Sequence, residues 1–480
     1  MAPDADLTRR RFLLASLAAA LAACADRIDP TVRPGPTSSA AAVAPSGSAS
    51  PAAPSENAVA PSLRPTPRPS PETAPAAEAP LTRRLYRDGA FADGRSDRLQ
   101  LGVSIYVEDG VIRWIRPSDG EEDPGPRRGL EVIDASGTTF VPGMVDAHSH
   151  LTMPGGAHWI DRGLDNPATT LRVAERNARL LTAAGVRWAR DVGAPRGVDP
   201  EDGRERALNL GLRDRWAERG ERHFPHIRAA GTWLTRAGSL PEGLAIEVRD
   251  ADALLAAAEG QLDDGADLVK LYLDGPDPGT SPWSAAEVRR VVRMAHDREA
   301  RVTAHAGRLA GARAAVAGGV DAIEHGYELD GDLAADMARR GTFLVSTLAV
   351  FRSWLTFGRT TDLGTFRGSG ASAIRGRLEA AERSVAIAAR AGVPIAAGTD
   401  FGGGSLRANQ LAWEVEALVA AGLEPWEALR AATRTGGALL GEPDAGVIRE
   451  GGPADFFLVH GDPLESPRVL WRVWRVDWAD

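Results

Sequence analysis

The chain has 480 residues, 43% of them hydrophobic and 25% charged, and a formal net charge of −9. That is the composition of a globular protein with a large core, enough chain for two to four domains at ~150 residues each. The acidic balance gives no electrostatic footing for nucleic acid, and a single cysteine excludes an intrachain disulfide framework and a cysteine-based zinc site.

Near the start, Thr8-Arg9-Arg10-Arg11-Phe12-Leu13-Leu14 leads into an apolar run that ends Leu21-Ala22-Ala23-Cys24. A basic segment followed by a short apolar core reads as an export signal, too short to span a bilayer comfortably. The twin arginines resemble a bacterial Tat signal. Leu21-Ala22-Ala23-Cys24 resembles a bacterial lipobox, which implies cleavage before Cys24 and a lipid on its thiol. Residues 1–24 are therefore expected to be a signal peptide. The mature protein is expected to be an exported lipoprotein, anchored to a bacterial membrane on its periplasmic or cell-surface face. Residues 25–80 are dominated by Ala, Pro and Ser. Such a segment cannot bury enough surface to offset its ordering entropy, and it reads as a disordered tether.

From Leu85 to Ile133 the chain shows short strand-like runs. Leu101–Val107 alternates, Glu108-Asp109-Gly110 turns, and Val111–Ile115 resumes; Asp-Gly between apolar runs is a hairpin signal. Similar runs recur near the far end, at Val447-Ile448, Asp455–Val459 and Val469–Trp474. Residues 81–140 and 441–480 are expected to complete one small β-sandwich around a central domain, residues 141–440.

In that central stretch, strand-like and helical runs alternate. Eight short apolar runs stand out: Phe140–Ala147, Val186–Asp191, Ile227–Gly231, Leu268–Leu273, Arg301–Ala306, Asp321–His325, Thr342–Thr347 and Val393–Gly398. Helices are signalled by Asn166 as N-cap with Pro167 at the first position, by the capping box Ser284-Ala285-Ala286-Glu287, and by Leu378 to Ala391 closing at Gly392. Eight strands alternating with helices is the arithmetic of an α/β fold of the (β/α)8 TIM-barrel type.

In such a barrel the chemistry sits at the C-terminal ends of the strands, where the candidate ligands fall. His148 and His150 end the first run, and in a strand residues i and i+2 share a face. Two imidazoles on one face suit a divalent metal such as zinc. His305 lies near the end of the fifth run, His325 ends the sixth and Asp400 follows the eighth. In the fourth run, alternation puts Leu268, Lys270 and Tyr272 on one face. An inward lysine is costly to bury as a cation. It either pairs with an inward carboxylate or stays a neutral amine able to capture carbon dioxide as a carbamate, an anion that can bridge two metals.

With these residues in view, the chain resembles the binuclear-metal branch of the amidohydrolase superfamily. Pro142–His150, Gly265-Ala266-Asp267-Leu268-Val269-Lys270 and Ile323-Glu324-His325-Gly326 look most like its imidazolonepropionase-like and Xaa-Pro or Xaa-Arg dipeptidase-like members. The likeness covers roughly residues 85–470, including Gly451-Gly452-Pro453-Ala454-Asp455 at the turn into the closing strands. It implies two divalent metal ions, expected to be zinc. His148, His150 and Asp400 would hold the buried one and His305 and His325 the exposed one, with carboxylated Lys270 and a hydroxide bridging them. The hydroxide would attack the carbonyl of an amide or peptide-like C–N bond in a dipeptide, an N-acyl amino acid or a cyclic amide. Asp400 would move the proton to the leaving amine.

Two departures from the dipeptidase-like pattern bear on the substrate. His305-Ala306-Gly307 stands where many members have His-Ala-Tyr. Thr235-Arg236-Ala237-Gly238-Ser239 stands where many have Gly-Gly-His. Arg236 and Tyr272 are the candidate substitutes for gripping a small-molecule substrate. His226 and His296 read as structural or surface residues and His158 as a candidate pocket residue. Two other readings compete: a mononuclear deaminase or imidazolonepropionase-like cyclic-amide hydrolase, which Lys270 opposes, and a non-catalytic surface binding protein, which the intact ligand set opposes. A homo-oligomer is compatible with all three.

Overall fold

The computed structural model describes residues 82–126, 128–156, 165–220, 223–240, 243–357, 368–402 and 406–479. The expected signal peptide, the tether and His158 lie outside these residues. The described chain is a mixed α/β structure built on two large sheets and a smaller one.

The flanking segments meet in one hydrogen-bonded sheet of seven strands: β1 (Arg83–Phe91), β2 (Gln100–Glu108), β3 (Val111–Pro117), β4 (Leu130–Asp134) and β5 (Thr138–Pro142), then β18 (Phe456–His460) and β19 (Val473–Asp477) from the far end. The expected hairpin is β2–β3, with Asp109 and Gly110 at φ 51° and 73°, the left-handed pair that a type I′ turn requires. The two flanking segments share this one hydrogen-bonded mixed sheet, which branches at β1. Its register shifts around Gly89, so its first half pairs in parallel with β4 and its last residues with β5. The ring of Phe140 packs directly over Gly89, where a Cβ would collide with it. The sheet coils over an apolar cluster in which Tyr86, Phe140 and Phe456 meet edge to face at 5.1–6.0 Å, the geometry that ring quadrupoles favour.

The first expected strand is divided. The run Phe140–Ala147 breaks at Gly143: β5 stays in the mixed sheet, paired antiparallel with β18, while β6 (Met144–Ser149) turns away into a parallel one. Gly143 suits the break because a Cβ there would meet Arg187, Trp478 and the Asp455 carbonyl. β6 then pairs with β7 (Val186–Asp191), and β7 with β10 (His226–Ala229). Two three-residue strands, β8 (Arg196–Val198) and β9 (Glu205–Ala207), form a small hairpin between them in sequence.

A second parallel sheet runs in the order β12 (Ile246–Val248), β11 (Leu234–Arg236), β13 (Leu268–Tyr272), β14 (Arg301–His305), β15 (Ala322–Glu324), β16 (Phe343–Ser346) and β17 (Ile395–Ala397). The strands β8, β9, β11 and β12 lie outside the eight apolar runs, so sequence periodicity gave no sign of them. The two parallel sheets are stitched at both margins. Asp267 donates its N–H to Ala229 O (2.9 Å). On the other side Asp400 N–H reaches His148 O (2.8 Å) and His150 N–H reaches Phe401 O (3.0 Å).

The helices start where their caps predict. The Asn166 side chain accepts from Thr169 N ahead of the helix Pro167–Ala183, and the Ser284/Glu287 capping box is formed. The helix expected from Leu378 is longer, Gly368–Ala391, and closes at Gly392 with φ 78°.

Candidate metal centre

β6 delivers its histidines as alternation requires. Ser149 turns aside to donate to Arg190 O (3.1 Å), while the His148 and His150 rings share a face 5.3 Å apart. Each Nδ1 is already engaged. That of His150 donates to Gly193 O (2.9 Å), and that of His148 meets Glu324 Oε2 at 2.7 Å. A carbonyl and a carboxylate only accept, so Nδ1 carries the proton in both rings and each Nε2 presents a lone pair. Both Nε2 atoms lie 3.4 Å from one oxygen, Asp400 Oδ1. The ligand-type atoms of His148, His150 and Asp400 fall within 4.8 Å of one another. Such outer partners fix the tautomer of metal-binding imidazoles.

His325 and His305 extend the group. Their rings lie 4.5 Å apart, and His325 lies 4.7 Å from His148. His325 Nδ1 contacts Thr347 Oγ1 at 2.8 Å. His305 Nε2 lies 3.3 Å from Asp274 Oδ2, and its ring stacks on Tyr272 at 4.1 Å. His325 and Asp400 hold φ values of 71° and 55°. For residues other than glycine this left-handed region costs energy, and such strain collects at functional sites.

The electrostatics favour neutral imidazoles beside anions. Burial, with Lys270 nearby, lowers the affinity of His148 for a second proton; burial and the neighbouring imidazoles do the same, more strongly, to His325. Burial would raise Asp400, yet the surrounding histidines, with two Nε2 atoms 3.4 Å from its Oδ1, hold it well below the ordinary carboxylate range. Glu324, fully buried, is held low by Arg190, Lys270 and His148 against the same penalty.

Lys270 is buried, and its Nζ has no hydrogen-bond partner among the described residues. Of the two sequence readings, the direct pair with a carboxylate is not formed among the described residues. Burial lowers the amine to about 8, with Glu324 and Asp400 acting against that from a distance. A buried, unpartnered amine beside a ligand cluster fits a group awaiting carbon dioxide and metal. The donor set of two imidazoles and a carboxylate converging nearby, with the rings of His305 and His325 beside it, fits a divalent cation such as zinc.

Several neighbours escaped the sequence reading. Arg190 donates from Nε to Ala147 O (2.6 Å) and pairs with Glu324 through NH2; Thr303 Oγ1 donates to the same carboxylate. Asp146, on the histidine face of β6, accepts from Thr399 Oγ1 (2.6 Å), Thr399 N (3.0 Å) and His148 N (3.3 Å), and burial lifts it to about 7. Its spacing at i, i+2, i+4 with the two histidines was the signal available. Asp191 accepts from Leu151 N, Gly193 N and Asn209 Nδ2, fixing the loop whose Gly193 carbonyl holds His150. Trp233 packs on His150 at 5.0 Å.

The two candidate substrate residues part company. Tyr272 is brought against His305. Arg236 is exposed, lies over the Trp283 ring at 5.0 Å and donates to Pro282 O (2.7 Å); among the described residues no hydrogen bond or ion pair joins it to the cluster. His226 packs on Trp188 and His296 pairs with Asp321 at the surface, as ordinary structural residues do.

Comparison with known proteins adds three likenesses and a family. The profile of the Amidohydrolase family matches residues 139–476. An uncharacterized protein of Mycobacterium tuberculosis is 30% identical over 384 residues, covering 78% of this chain and 93% of that protein. The imidazolonepropionase of Salinispora arenicola is 26% identical over 406 residues, covering 78% and 89%. Among solved structures, a Xaa-Pro dipeptidase with bound methionine in its active site superposes with a TM-score of 0.70 at 25% identity, covering 83% of this chain and 98% of that one.

Proposed function

Since the chain belongs to the amidohydrolase family, we propose that it is a metal-dependent hydrolase of an amide or peptide-like C–N bond in a dipeptide, an N-acyl amino acid or a cyclic amide. One observation carries the reading: His148, His150 and Asp400 converge within 4.8 Å beside the buried, unpartnered amine of Lys270. In this reading the two stitched parallel sheets close into a (β/α)8 barrel, with the cluster at the C-terminal ends of its strands.

His148, His150 and Asp400 would hold one divalent cation and His305 and His325 a second. Lys270, its amine having lost a proton and added carbon dioxide, would serve as a further anionic ligand shared by the two. When bound, the two cations supply a hydroxide at neutral pH and polarise the substrate carbonyl. The chain's own residues do the rest. Nδ1 contacts to Glu324 and Gly193 hold the imidazoles in the binding tautomer. Asp400, kept ionised by its histidine neighbours, would take the proton of the attacking hydroxide and pass it to the departing amine. The Arg-Arg and Leu-Ala-Ala-Cys motifs support export and lipidation at Cys24, which would place this chemistry at a membrane face.

The test is hydrolysis by protein prepared with zinc and bicarbonate, assayed on dipeptides, N-acyl amino acids and lactams beside an Asp400→Asn variant. Expected are turnover by the wild type and a loss of about 10²–10⁴-fold in kcat in the variant with its metal retained. Equal turnover by both proteins would remove Asp400 from the mechanism. Turnover of no amide would reject the reading.

A further inference from the structure

The chain has four tyrosines. Tyr86 and Tyr106 belong to the mixed sheet; the other two, Tyr272 and Tyr327, flank the histidines. Tyr272 stacks on His305 at an interplanar angle of 16°. Tyr327 follows His325 by two residues, and its ring covers Gly307, which follows His305 by two. A Cβ built at position 307 would fall into that ring, 2.5 Å from Cζ and 2.8 Å from Cδ1. Gly307 is not among the positive-φ glycines. Its lack of a side chain therefore answers to space, not to backbone conformation.

Both loops are pinned in this arrangement. Glu328 donates its N–H to Gly307 O (3.0 Å), and Asp274 accepts from Gly307 N (3.1 Å) and Arg308 N (3.3 Å). The far edge of the Tyr327 ring meets Phe351 at 6.1 Å and 84°, which fixes its plane. Tyr272 and Tyr327 are both half-buried. Burial and Asp274 keep the Tyr272 phenol neutral.

We propose that Tyr327 is a specificity-determining residue, and that it forms with Tyr272 a two-ring jaw beside His305 that receives an apolar, preferably aromatic, side group of the substrate. Gly307 leaves vacant the volume that Tyr327 fills from the neighbouring loop. The inference rests on the amide-hydrolase reading of the site but is tested by binding, so that the two can fail separately.

The experiment measures calorimetric binding of L-phenylalanine and glycine, as product-like probes, to the metal-loaded full chain and to Tyr327→Ala. The wild type is expected to bind phenylalanine about tenfold more tightly than glycine, and Tyr327→Ala to lose most of that ratio. Should the alanine variant not fold, Tyr327→Leu, which keeps apolar volume, is expected to lower the ratio about threefold. An unchanged ratio, or a wild type that binds neither amino acid, overturns the inference. A second readout needs no ligand: Gly307→Ala is expected to lower Tm by a few degrees, and Tyr327→Ala in that background to relieve the loss. Additive effects overturn the shared-volume claim. Loss of the phenylalanine preference in a protein that hydrolyses no amide would leave the jaw intact and reject the activity; amide hydrolysis with an unaltered preference would do the reverse.

Discussion

In the mixed sheet, the buried centre is Tyr86, Phe140 and Phe456 packed edge to face among aliphatic side chains, and the left-handed residues Asp88 and Asp109 sit in β1 and its neighbouring turn. Around the parallel strands the buried groups are instead Lys270, Glu324, Arg190, Asp146, Asp191, His148 and His150, and the left-handed backbone falls on His325 and Asp400. The first region spends its burial on apolar contact, which stabilises. The second buries ionisable groups, each of which costs free energy unless paired or ligated. A fold tolerates that concentration where the groups have chemistry to do.

The comparison can be broken by mutation. Arg190→Met leaves Glu324 buried without its cationic partner. The expected loss is about 3–5 kcal/mol of stability, as for other broken buried pairs. A 10–100-fold fall in metal affinity should accompany it, because Glu324 no longer orients His148. Denaturant titration and chelator competition measure the two, and an unaltered metal affinity would separate the pair from the site. Phe456→Ala, in the other region, should cost about 3–4 kcal/mol through its cavity while the folded protein keeps its metal content and kcat. A drop in metal content would show that the two regions are not separable.

The smallest effect sharpens the role of Lys270. Its amine falls from an ordinary 10.5 to about 8 in the folded protein. The unfolded chain then binds more protons between these values, so metal-free stability attributable to this group rises as pH increases from about 8 to 10.5. Below pH 8 both states carry the charge and the burial cost is constant. The difference in Tm between metal-free wild type and Lys270→Met should therefore shift in favour of the wild type across that window, by a few degrees. A flat difference would mean that the amine is not desolvated.

Much of the site was legible because its signals are local. His148 and His150 share a strand face by alternation, and each of the eight runs contains a parallel strand because apolar periodicity survives in segments of three to six residues flanked by helices. What escaped the sequence is relational. The division at Gly143 was hidden because Val141-Pro142-Gly143-Met144 reads as one run; only Arg187, Trp478 and Asp455 closing on Gly143 reveal two strands. Arg190 and Glu324 are 134 residues apart, and no spacing rule joins them. Tyr327 was hidden for the same reason: its significance is the space above Gly307, which belongs to another strand's loop.

The most direct test of the central claim is metal per chain, by elemental analysis of protein prepared with zinc and bicarbonate. The account predicts about two ions per chain in the wild type and about one in Lys270→Ala, which cannot form the carbamate bridge. A wild type that retains no metal after reconstitution, or a Lys270→Ala variant that still holds two, would contradict it.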